Sequence, residues 1–217
     1  MSYRDWLVTK LNDHEEHPDI DSAIALGNSF IEIHTTKGKT VIVGAIDSNS
    51  NITSQDVYEV YKNGVPKPNI VIAKYGAIWD GGAIDYLRQQ NIGWGGMGEI
   101  LSAFQTDCYA DIQKREYNFV EEGLLKHSRV IRLERIYDRV FKIHRKSGLP
   151  PFTITLINSY ELSGEEVRHA IKTYGKFNAV LKTNPNGSPT GQAYSAAAEI
   201  GADIFIFREL LGRLNRR

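Results

Sequence analysis

The chain has 217 residues, 41% of them hydrophobic, enough for one large domain or two small ones with packed cores. Lysines and arginines number 26 and so do aspartates and glutamates, so the net charge is zero. One cysteine, Cys108, excludes a disulfide framework and a multi-cysteine zinc site. No apolar run approaches the roughly 18 residues of a membrane helix, and the start, Met1-Ser2-Tyr3-Arg4-Asp5-Trp6, has no apolar signal region behind a basic end. These features point to a cytoplasmic protein without a membrane.

In chain order, Trp6, Leu7 and Leu11 suit an amphipathic opening helix, with a short second helix over Asp21–Leu26. Phe30–Thr35 and Thr40–Ile46 are β-rich runs around Lys37-Gly38-Lys39, a hairpin signal. Thr53 with Asp56 three residues on starts a helix over 54–63, and Asn63-Gly64 stops it. Pro66 and Pro68 hold the chain extended before the strand Ile70–Ala73. A helix over 80–90 follows, then the glycine-rich run Gly93–Gly98 and a short helix from Glu99. Segment 106–137 reads as one long charged helix, with Tyr117, Val120, Leu124 and Leu125 as its stripe and Val130, Ile131, Leu133 and Ile136 extending it less regularly. Beyond it come a hairpin around Ser147-Gly148, a strand Phe152–Ile157, a helix 164–173 capped by Ser163 and a strand Asn178–Lys182. An Asn184-Pro185-Asn186-Gly187 turn, a helix 189–200, a strand Asp203–Phe207 and a helix 208–215 complete the chain. Short strands alternating with helices predict an α/β fold with both sheet faces covered.

The second half restates the first. Phe30-Ile31-Glu32-Ile33-His34 matches Val140-Phe141-Lys142-Ile143-His144. At the same spacing come Gly38/Gly148, Lys62/Lys172, Gly81/Gly191, Ala83/Ala193 and Glu99-Ile100-Leu101/Glu209-Leu210-Leu211. The period is too long for a solenoid and reads as a duplicated unit. The halves differ in charge. Residues 1–110 hold 8 Lys and Arg against 14 Asp and Glu, a balance of −6. Residues 111–217 hold 18 against 12, a balance of +6, with the base concentrated between Lys126 and Lys146. Such asymmetry suits either a polyanion partner on the second half or attraction between unlike halves.

Local chemistry is sparse. Ser188 reads as a helix N-cap with Pro189 at the first helical position, a place where an anion could meet free N–H groups, helped by Lys182 and Thr190. It is not a P-loop, since no Gly-Lys-Ser/Thr follows. His34 and His144 sit at matching strand positions beside lysines and read as structural or surface residues. His14 and His17, among acids, allow an adventitious metal site, though the spacing is not H-E-x-x-H.

The order of hairpin, third strand, capped helix, strand, helix and strand resembles the restriction endonuclease-like (PD-(D/E)xK) fold, nearest its Mrr-type branch. The likeness is carried best over 138–214 by Ile154–Ile157, Leu162-Ser163-Gly164-Glu165-Glu166-Val167, Ala179–Thr183, Thr190-Gly191-Gln192-Ala193 and Glu209-Leu210-Leu211, and more weakly over 28–101. It implies two similar endonuclease-like α/β units, 1–105 and 138–217, joined by a long helix over 106–137. The family cuts nucleic acid with a metal held by an aspartate near the second strand and a D/E-x-K on the third. Asp138 falls near the first place, and Asn28 stands there in the first unit. The third strands carry Thr155-Leu156-Ile157-Asn158 and Ala45-Ile46-Asp47-Ser48, neither of them D/E-x-K. The expectation is therefore a degenerate endonuclease-like protein, without cofactor, that binds nucleic acid or a protein partner. Arg129, Arg132, Arg145, Lys146, Lys182, Ser188 and Thr190 are the candidate nucleic-acid contacts. Two alternatives stay open: a Mg²⁺-dependent nuclease with a migrated site near Asp138, where Lys172 or Glu161 could substitute, and a homo-oligomeric structural protein, in the simplest case a dimer.

Overall fold

The computed structural model describes residues 1–62, 67–106, 108–110 and 112–216. The chain forms two compact α/β units, Met1–Lys114 and Arg115–Arg217. The expected stop at Asn63-Gly64 and the bend at Pro66 lie outside the described residues.

The first unit runs α1 (Tyr3–Leu11), β1 (Ile20–Leu26), β2 (Phe30–Thr35), β3 (Thr40–Ile46), β4 (Asn51–Ile52), α2 (Ser54–Tyr61), β5 (Ile70–Ala73), β6 (Ile78–Trp79), α3 (Gly81–Gln89), β7 (Gly93–Gly95) and α4 (Met97–Thr106). Its main sheet has the order β1-β2-β3-β5-β7, and β4 and β6 form a small parallel pair. The first three strands are antiparallel neighbours; β5 and β7 join in parallel.

The second unit runs α5 (Arg115–Leu125), β8 (Val130–Tyr137), β9 (Val140–Arg145), β10 (Phe152–Ile157), α6 (Gly164–Tyr174), β11 (Ala179–Lys182), α7 (Gly191–Ala198), β12 (Asp203–Ile206) and α8 (Phe207–Arg213). Its sheet order is β8-β9-β10-β11-β12, again three antiparallel strands followed by two parallel ones. The registers correspond as well. The row Phe30-Gly44-Val71-Trp94 crosses the first sheet, and the row Val140-Thr155-Val180-Ile204 crosses the second.

Local chemistry explains most of these elements. Both hairpin turns use glycine at positive φ, Gly38 at 74° and Gly148 at 67°. Helix α2 starts on a capping box in which Thr53 and Asp56 satisfy each other's backbone N–H, and α6 repeats it with Ser163 and Glu166. In the first unit one sheet face packs Ile31, Ile33, Val41, Val43, Ile70 and Ile72 against Leu7 and Leu11 of α1 and Ile100 and Phe104 of α4. In the second, Val180 and Ile204 pack against Val167 and Ala170 of α6 and the alanines of α7. The close fit also explains Gly93: a Cβ there would meet the Tyr109 carbonyl oxygen at 2.1 Å.

Three elements depart from the sequence reading. Segment 106–137 is not one helix. It holds the end of α4, then α5, then the edge strand β8, so α5 and β8 belong to the second unit. The helical stripe ends at Leu124 because a turn closes on His127, whose carbonyl accepts from Val130 N–H at 3.0 Å. Beyond it the chain pairs antiparallel with β9 from Val130 to Tyr137 and is a strand. Second, the stretch expected as a short helix is β1. It buries Ile20 and Ala23 by pairing with β2, which a helix there could not do. Third, α7 is capped by Thr190, whose hydroxyl accepts from Ala193 N–H, and not by Ser188.

Candidate functional site

In α/β sheets the carboxyl ends of parallel strands are where side chains from several elements converge. In the second unit these ends are the residues after β10 and β11, beside the β8–β9 turn. Glu116, in the first turn of α5, reaches them. Its Oε1 accepts from the Thr183 hydroxyl at 2.8 Å, and its Oε2 accepts from Asn158 Nδ2 at 3.2 Å. Arg139 lies 3.5 Å from the same Oε1. Thr183 is held there because its own N–H donates to the Ile157 carbonyl at 3.0 Å.

Asp138 sits next to this group in the β8–β9 turn. It is buried, 9% exposed, and its Oδ2 accepts from the Tyr117 hydroxyl at 3.2 Å. Burial and the Asp138 charge push the Tyr117 hydroxyl well above the usual tyrosine range, and the same two causes raise Tyr174. Both phenols therefore stay protonated, and that of Tyr117 serves as a donor. Burial works against the Arg139 charge, but Tyr117, Glu116 and Asp138 outweigh it and leave the guanidinium held more firmly protonated. The cluster is a set of acids neutralised by the protein's own donors.

The cation implied by the resemblance does not fit this donor set. The third strand and the residue after it, Thr155-Leu156-Ile157-Asn158, hold neither an acid nor a lysine. Glu116 and Asp138 spend oxygens on Thr183, Asn158 and Tyr117. Among the described residues no group of three or more His, Cys, Asp or Glu is placed to hold a metal ion. Glu161 and Lys172, the possible substitutes, are exposed residues that enter none of these contacts.

The first unit carries a different cluster at the equivalent place. Asp47, just after β3, pairs with Lys74, just after β5, and its Oδ2 accepts from the Tyr3 backbone N–H at 2.9 Å. Lys74 and Tyr3 hold the Asp47 carboxyl below its ordinary range. The Tyr3 hydroxyl donates to the Ala73 carbonyl at 3.0 Å, and burial with the Asp47 charge pushes it up to about 12.

The basic candidates divide. Arg129, Arg132 and Lys146 are exposed on and beside the β8–β9 hairpin. Arg132 lies 3.1 Å from His144 and 3.5 Å from Glu134, and Arg129 donates to the Ser147 hydroxyl. Arg145 and Lys182 do not belong to that surface. Arg145, 5% exposed, binds the carbonyls of Pro150, Leu214 and Arg216 and so ties the hairpin to the chain end. Lys182, 2% exposed, donates to the carbonyls of Asn184 and Asn186 and staples the turn that follows β11. Thr190 is used as a cap and donates to the Leu162 carbonyl, while Ser188 is exposed. His34 pairs with Glu32 at 2.9 Å, and His144 with Glu134 at 2.8 Å. The His14 ring sits on the Ile20 carbonyl at 3.0 Å.

Sequence reasoning missed Glu116, Tyr117 and the Asp47–Lys74 pair. Their partners stand far away in the chain, so no local spacing marks them. The structure also contains no described helix long and apolar enough to cross a membrane. Compared with protein-family models, curated proteins and solved structures, the chain matches none.

Proposed function

We propose that the chain is a doubled endonuclease-like protein that has lost strand cleavage and binds the phosphate backbone of nucleic acid through its second unit. The shared strand order and registers of the two units support the doubling. The observation that carries the loss of cleavage is the fate of the two acids: Glu116 and Asp138 are bound by Thr183, Asn158 and Tyr117, and the third strand and the residue after it hold neither an acid nor a lysine. Phosphate binding is supported by the exposed Arg129, Arg132 and Lys146 on a unit whose 17 Lys and Arg exceed its 11 Asp and Glu, a balance of +6. Nothing in this surface reads bases, so the binding is sequence-independent.

Polarisation of a labelled duplex at two salt concentrations tests the reading. Each phosphate contact steepens the salt dependence by about one unit of log–log slope, so changing Arg129, Arg132 and Lys146 together to alanine should flatten it by about three. Absence of binding at low salt, or equal binding by the triple variant, removes the nucleic-acid reading and leaves a protein partner. Cleavage with Mg²⁺ or Mn²⁺ that disappears in Asp138→Ala would instead establish the nuclease rival.

A further inference from the structure

The two sheets end differently at corresponding outer strands. In the first unit β1 is plugged on its open side. Asn12 accepts from the Ala23 N–H and donates to the Ala23 carbonyl, both at 2.8 Å. The His14 ring sits on the Ile20 carbonyl, and Arg4 binds the Gly27 carbonyl. Such devices keep an edge strand from pairing with another chain. Strand β8 holds the same topological place in the second unit, and among the described residues no side chain caps the Leu133 backbone.

Backbone alternation fixes which β8 groups face outward. The Arg139 carbonyl accepts from Leu156 N–H, so odd-numbered residues of β9 turn to β10 and even-numbered ones turn to β8. Arg132 and Glu134, opposite His144 and Lys142, therefore spend their backbone groups on β9. Leu133, between them, directs its N–H and carbonyl to the open side. Bulges bound the regular run on both sides, between Val130 and Arg132 and between Arg135 and Tyr137. Flanking the run, Ile131 is 63% exposed and Leu125, the last residue of α5, is 55% exposed.

We propose that this edge is occupied by β8 of a second copy of the chain, paired antiparallel about a two-fold axis at Leu133. That centre lets the two Leu133 residues exchange both backbone hydrogen bonds. It also sets Arg132 of each copy opposite Glu134 of the other, an opposite-charge pair formed twice. A centre on Ile131 or Arg135 breaks this match and runs into a bulge. The two five-stranded sheets join into one, and the exposed Ile131 lies in the bulge beside the seam. The inference does not rest on nucleic-acid binding, although Arg132, which pairs with Glu134 of its own chain at 3.5 Å, is shared by the two surfaces.

Register-resolved cross-linking of the full chain tests it, with Cys108→Ser removing the native thiol. Opposite residues 132 and 134 would form a pair without mutual hydrogen bonds, with Cα atoms about 4.5 Å apart and within disulfide reach. Arg132→Cys and Glu134→Cys proteins should each stay largely uncoupled on mild oxidation, and their mixture should form a disulfide dimer. Wild type should sediment as a dimer, and Ile131→Lys should shift it toward monomer with an unchanged circular-dichroism spectrum and a melting temperature that no longer rises with concentration. Monomeric wild type at every concentration, no cross-link in the mixture, or equal cross-linking in all three samples overturns the proposal.

Discussion

Replacing Thr155 with valine should make the second unit more stable. Thr155 is fully buried in the middle of β10, between Val140 of β9 and Val180 of β11, and among the described residues its Oγ1 has no hydrogen-bond partner. A buried hydroxyl without a partner costs about 1–3 kcal/mol in proteins. Valine keeps the β-branched shape and the strand preference while removing that oxygen. The expected gain is about 1–3 kcal/mol, a rise in melting temperature of about 4–8 °C per kcal/mol for a unit of this size. Urea unfolding of the full chain checks it: the midpoint should move up with an unchanged slope. Thr155→Ala should go the other way, since it removes a methyl group as well and leaves a cavity. A Thr155→Val protein less stable than wild type would refute the reasoning and show that the hydroxyl is satisfied, for example by a buried water.

Gly187→Ala should destabilise the second unit by about 2 kcal/mol or more, because φ is +69° and the new Cβ would meet the Tyr160 carbonyl oxygen at 1.9 Å; a thermal melt reads it. Lys182→Met should leave nucleic-acid binding unchanged and speed proteolysis or amide exchange in residues 183–188, since the buried ammonium holds the Asn184 and Asn186 carbonyls. Alkaline pH should weaken the first unit in a defined window. The Tyr3 hydroxyl titrates near 10 when unfolded and at about 12 when folded, so between those values the folded chain holds a proton that the unfolded chain has lost. Stability is complete below pH 10 and falls as pH rises toward 12. Tyr3→Phe should flatten that fall, measured as urea midpoints at successive pH values.

Elements whose cause is local were legible in the sequence. The hairpins at Gly38 and Gly148 and the boxes Thr53/Asp56 and Ser163/Glu166 each place the deciding residues within a few positions. Strand β8 was hidden because Leu124, Leu125, Val130 and Ile131 continue an apolar series across the turn at His127, where periodicity alone does not show the change from helix to strand. The site was harder still. Glu116 meets Thr183 across a separation of 67 residues, so only the folded sheet joins them. Arg145 and Lys182 show the limit of reading charge as surface. Lysine and arginine also serve as multiple donors, and both are spent on carbonyls that close a chain end and a turn.

The equivalent rows of the two sheets place Asp47 and Lys74 of the first unit where Asn158 and Thr183 stand in the second. Both pairs follow a parallel strand, and both are tied to the opening helix of their unit. The first unit keeps its acid on the strand end and binds it with a lysine and a backbone N–H from the start of α1. The second has neutral donors on the strand ends and takes its acid, Glu116, from the first turn of α5. Each solution satisfies one carboxylate locally, and a carboxylate so engaged would have to give up internal bonds before it could take a cation. Burial adds to that cost for Asp138, because parting it from the Tyr117 hydroxyl would leave a charge in a poorly solvated place. Two sheets of the same strand order thus carry unlike polar ends, and in both the carboxylate is engaged by contacts that hold helix to sheet.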